Sequence, residues 1–248
     1  TPDKAPEVLV FLQSALACLN ALRDRFGTRF LPVYGDHELG KVSLFGGVGG
    51  LRLASWHRMT GELGLAPFWE KKVGPYVLMG IVSSLVALQV FEPETLPDER
   101  SAWWSLREVH LDAIRTTFAA LEAGQRVILF CHDPTALPFL AAEPAISRKL
   151  SQVELTVIGH LHTPVVLRAS RFLSGMPPVR FAGNTVRRLT EALRMARQWR
   201  EFNVRLCPSL TGLQLLQDGG YGWIDLDLSG HRPPQWKVCR LPSRGPRT

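Results

Sequence analysis

Cysteine is scarce in this sequence and nowhere clustered: Cys18, Cys131, Cys207 and Cys239 stand far apart. None has a partner at the spacing of a zinc knuckle or a CxxC pair, so a structural metal framework is not expected. Isolated thiols suit a reducing compartment, and the expected location is cytoplasmic. Long hydrophobic runs are also missing. The longest, VLMGIVSSLVALQVF from Val77, falls short of the roughly 20 residues that a membrane-spanning helix needs, and Ser83 and Ser84 interrupt it. No transmembrane segment is expected. No charged segment followed by an apolar stretch and a small-residue cleavage site opens the sequence, so no signal peptide is expected either. Acidic residues are in deficit, 22 against 29 basic, which gives a net charge of +7. That excess favours anionic partners such as phosphate esters, nucleic acid or acidic lipid surfaces.

What is present is a chain of 248 residues, 46% of them hydrophobic, enough to bury the core of one α/β domain. That domain is expected over residues 1–241, with 242–248 as a disordered tail. Val8, Leu12, Leu16, Leu19 and Leu22 recur at helical spacing, and Gly27 supplies the stop. RFLPVY then reads as a short buried strand that places Asp36 and His37 on the loop at its C-terminal end, where α/β sheets carry their sites. Residues 41–75 hold glycines and two tryptophans without a clear period and read as a long, partly ordered loop. Strands are expected at Tyr76 to Ile81, Arg126 to Phe130 and Leu155 to Ile158, with a helix from Asp98 to Glu122. This alternation points to a layered α/β fold. Beyond Thr163, Arg187 to Arg200 reads as a basic helix. VRLCPSL, LQLLQ, YGWIDLDL and QWKVCRL read as successive antiparallel strands, with Gly219 and Gly220 as a hairpin turn.

Three apolar runs end in histidine: VYGDHELG from Val33, VILFCHDP from Val127 and LTVIGHLHTP from Leu155. Imidazole nitrogens together with carboxylate oxygens suit divalent zinc, manganese or iron, and a pair of such ions clamps a phosphoryl group and activates water. The two histidines of GHLH are two residues apart, so extended backbone turns both to the same side. One such histidine alone is more often a hydrogen-bonded structural residue. Three in this order are a pattern.

The ordered set GDHE, CHDP and GHLHTP resembles the last three motifs of the calcineurin-like metallophosphoesterases: GNH(E/D), a histidine at a strand end, and GHxH. The resemblance extends from the first helix to the C-terminal strands. It implies a four-layer α/β/β/α sandwich, a centre of two divalent metal ions (Mn, Fe or Zn), and hydrolysis of a phosphate mono- or diester. By the same similarity Asp36 stands where the family has a metal-ligating asparagine. His37 stands where it has the histidine that stabilises or protonates the leaving oxygen. His132 and His160 would ligate the second metal, and His162 the first. The family's upstream motifs, Asp-x-His and GDxxD, have no counterpart before Asp36, so the expectation is a sandwich without its first strand or strands, truncated at its amino-terminal end. The alternative is a catalytically degenerate protein of this fold that acts as a binding or scaffold module.

Other features have plainer readings. His57, His110 and His231 are expected to be structural. Asp133, before a proline, suits a turn or the support of a ligand's tautomer. Cys131 and His132 are adjacent on a strand and face opposite sides, against a thiol nucleophile. Trp56 and Trp69 are expected to pack as a satellite core rather than line a cleft. Arg187, Arg188, Arg194, Arg197 and Arg200 are expected to be a solvated helix face, with nucleic-acid binding a weaker alternative. The segment NTVRR is a candidate edge for the substrate.

Overall fold

The computed structural model describes residues 5–40, 50–159, 196–208 and 219–241. Helix α1 spans Ala5–Phe26 and gives way to a short 3₁₀ turn at Gly27–Arg29, where Gly27 takes φ 55°. A left-handed residue here ends the helix at little steric cost because glycine has no Cβ. Next, RFLPVY departs from expectation: residues 31–35 belong to no strand ladder among the described residues. Pro32 has no N–H to give a ladder, and its carbonyl accepts the indole N–H of Trp69 at 2.9 Å.

The region expected to be a loop is more ordered than its composition suggests. It contains helix α2, Leu53–His57, a π-helical turn at Arg58–Glu62, and strand β1, Phe68–Val73. Gly74, at φ 56°, turns the chain into strand β2, Tyr76–Ile81, which pairs antiparallel with β1. Two short helices follow, α3 at Ser83–Val86 and α4 at Leu88–Phe91, and then the long helix α5, Arg100–Ala119. Strand β3 is Arg126–Cys131, and after it come α6, Leu137–Ala141, and α7, Pro144–Ser147. Strand β4 is Val153–Ile158. Of the expected basic helix, residues 187–195 lie outside the described residues, and Ala196–Phe202 forms a 3₁₀ helix that buries Trp199 and Phe202. Strands β5, Val204–Leu206, β6, Gly220–Asp225, and β7, Gln235–Arg240, follow among the described residues.

The five strands β1 to β5 lie side by side in chain order, and β2, β3, β4 and β5 run parallel. β5 was expected to be antiparallel. Its parallel register puts it in line with β4, with Cys207 N–H donating to Ile158 O at 2.7 Å just beyond it. β6 and β7 do form an antiparallel pair. The glycines expected as a hairpin turn lie at the start of β6: Gly220 pairs with Arg240 as its first residue, and Gly219 O, just before the strand, accepts from Leu241 N. LQLLQ lies outside the described residues.

Burial organises these elements into layers. Val77, Met79, Ile81, Val127 and Leu129 face one side of the sheet, where Leu111, Ile114 and Phe118 of α5 cover them together with Leu137 and Leu140 of α6. On the other side Tyr76, Ile128, Leu155 and Val157 meet Ile224, Leu226 and Trp236 from the β6–β7 pair. The described residues thus form an α/β protein with helices on one face of a mixed sheet and a second small sheet on the other. A separate core holds Tyr34, Leu39 and Trp56 against Leu85, Leu88, Phe91 and Trp103. Trp56 meets Trp103 edge to face at 6.1 Å, the satellite packing its sequence context suggested. This second core anchors the turn that carries Asp36.

Candidate metal centre

Parallel pairing brings the C-terminal ends of β3 and β4 to the same edge, with Cys131 opposite Ile158 on the last rung. The residues just past that rung are His132 and Gly159, and Gly159 N–H donates to His132 O at 3.1 Å. Alternation turns Cys131 toward the helix layer, while Phe130 and His132 line a cavity of about 250 Å³ on the opposite side with Leu31, Val33, Val157 and Cys207. Burial pushes the Cys131 thiol above its usual range. An inaccessible, protonated thiol on the far face is no nucleophile for this site.

Asp36 begins the turn 36–40 and is 1% exposed. Its Oδ1 lies 3.6 Å from His132 Nε2, a gap too long for a hydrogen bond but within ion-pair range. Two ligands at about 2.0–2.2 Å from one ion stand roughly 3 to 4 Å apart in a tetrahedral set. A carboxylate oxygen and an imidazole nitrogen at this separation therefore fit one divalent cation. The approach is set by Gly35: a Cβ there would lie 2.2 Å from the His132 ring, so only glycine lets the backbone come this close. Gly35 N–H also donates to Glu38 Oε2 at 2.9 Å, which closes the turn.

His37 is exposed on the same turn, and its carbonyl accepts from Gly40 N–H at 3.1 Å. Asp133 takes the turn role anticipated for it, its Oδ1 accepting from Thr135 N at 2.8 Å and Thr135 Oγ1 at 2.6 Å to cap the 3₁₀ turn Pro134–Ala136. Its own N–H donates to Ser83 Oγ at 3.0 Å, at the end of the neighbouring strand β2. The sequence marks Ser83 only as an interruption of an apolar run. Val82 N–H donates to His110 Nε2 at 3.1 Å, so His110 accepts as a neutral imidazole, and burial lowers its pKa to about 4. His110 is structural, as is exposed His231, whose Nδ1 contacts Ser229 Oγ in the turn between β6 and β7. His57 is exposed on α2.

Of the five residues singled out in the sequence, the structure brings Asp36 and His132 together and places His37 on the same turn. His160 and His162 lie outside the described residues. The NTVRR segment and Arg187, Arg188 and Arg194 also lie outside. Among the described residues no group of three His, Cys, Asp or Glu side chains forms a metal set, and no helix is long and apolar enough to cross a membrane. Comparison of the chain with family models, curated proteins and solved structures gives no match.

Proposed function

We propose that this chain carries part of a dinuclear metal site and hydrolyses a phosphate mono- or diester, as its three ordered motifs suggest. The observation that supports this most directly is the 3.6 Å approach of buried Asp36 to His132 at the shared edge of two parallel strands. Asp36 and His132, with His160, would hold one ion, and His162 the other. When bound, divalent manganese, iron or zinc supplies positive charge against the phosphoryl oxygens and lowers the pKa of a water molecule. Exposed His37 would protonate the departing oxygen. The helix layer, five-stranded sheet and β6–β7 pair agree with three successive layers of an α/β/β/α sandwich. The net charge of +7 favours an anionic ester.

The test is to load the purified chain with Mn²⁺ or Zn²⁺, measure bound metal by elemental analysis, and assay p-nitrophenyl phosphate and its bis-ester. Hydrolysis that chelation abolishes is expected. His132→Ala should lose metal, whereas His37→Ala should retain it and turn over about 10²- to 10⁴-fold more slowly. A full metal complement in His132→Ala, or equal turnover in His37→Ala, would contradict the assignment.

A further inference from the structure

If His132 is a ligand, its position depends on backbone groups that hold the chain on both sides of its ring. On the β4 side, the His132 carbonyl is fixed by Gly159 N–H. On the β2 side, the next amide, Asp133 N–H, is fixed by Ser83 Oγ. The Asp133 side chain is engaged elsewhere, its Oδ1 capping the following turn through Thr135. Ser83 is 0% exposed, so bulk solvent does not reach the hydroxyl there. The serine is itself held in place: the preceding amide, Val82 N–H, is bound to buried His110.

We infer that Ser83 is a positioning residue for His132, acting through the Asp133 amide to set where the imidazole stands relative to Asp36. This rests on the proposed metal site. Ser84 supplies an internal control. It is equally buried, adjacent in the chain, and its Oγ has no hydrogen-bond partner among the described residues. Loss of the Ser84 hydroxyl tests burial and packing alone, whereas loss of the Ser83 hydroxyl also removes the anchor.

The experiment titrates Co²⁺ into the full chain and follows its visible absorption, with the His132 imidazole resonances recorded by NMR before metal is added. Removing support around a ligand weakens metal binding by about 10- to 100-fold. Ser83→Ala is expected to fall in that range and to shift the His132 resonances, while Ser84→Ala leaves both unchanged. Ser83→Cys keeps a weaker acceptor and should fall between wild type and Ser83→Ala, which also serves if Ser83→Ala fails to fold. Equal affinity and unshifted His132 resonances in a folded Ser83 variant would overturn the inference while leaving the metal site standing. If wild type binds no Co²⁺, the metal reading fails. The metal-free resonances then decide the positioning role alone: a shift confined to the Ser83 variants supports it, and its absence overturns it.

Discussion

At the residue scale, two buried contacts make opposite demands on chemistry. His110 works only as a neutral acceptor for Val82 N–H, and burial holds its pKa at about 4 against 6.5 for an exposed imidazole. Between those values the unfolded chain binds a proton that the folded chain refuses. This part of the stability is therefore fully present above pH 6.5 and is lost as the pH falls toward 4. At about 1.4 kcal/mol per pH unit the loss is on the order of 3 kcal/mol. Urea unfolding of wild type and His110→Gln across this range should show a shallower pH slope in the variant, which keeps an acceptor but has nothing to titrate. Equal slopes would mean that His110 is not the titrating group. Gly35 makes a steric demand instead. A methyl group there meets the Cδ2, Cγ and Cβ atoms of His132 at 2.2 to 2.9 Å, so the ring and its stem must both move. Gly35→Ala is expected to cost about 1–3 kcal/mol in urea unfolding and to shift the His132 resonances. An unperturbed His132 spectrum would show that the backbone yields instead.

At the element scale, what the sequence disclosed depended on burial. Tyr76 to Ile81 was readable to the residue because five of its six residues are buried and a turn precedes it. Helix α5 was readable because Leu111, Ile114 and Phe118 follow the helical period on one face. β1 was missed because Glu70, Lys71 and Lys72 occupy its exposed positions and only one strand neighbours it, leaving a pattern that looks like a polar loop. RFLPVY misled in the other direction: its apolar residues are those of a strand, but Pro32 breaks the donor row. The direction of β5 depends on the path of the chain between β4 and β5, which local pattern does not encode. The approach of Asp36 to His132 was legible through motif order, whereas Ser83 meets the Asp133 backbone amide, a contact that no side-chain pattern announces. The same burial logic separates two strands energetically. Leu129→Ala, at the centre of β3 and 0% exposed, should destabilise the protein by about 2–5 kcal/mol. Trp223→Ser on the outer face of β6, 59% exposed, should stay within about 0.5 kcal/mol. Denaturation midpoints for the two variants check both, and comparable losses would mean that the outer face of β6 is covered.

At the scale of the whole molecule, packing grades local stability. β2, β3 and β4 are covered on both sides of the sheet, whereas the second half of α1 is largely exposed and β7 has several exposed side chains. Amide hydrogen exchange should be slowest in β3, with opening energies near the global value, and faster in α1 and β7. Uniform protection across all of them would show a single cooperative unit. The sheet order has a further consequence. Because β1 to β5 stand side by side in the order in which they are encoded, a nascent chain leaving the ribosome adds each strand to an edge already formed. Each newcomer both covers the preceding edge and becomes the next template, so the Asp36–His132 pair can assemble before the β6–β7 pair has been synthesised.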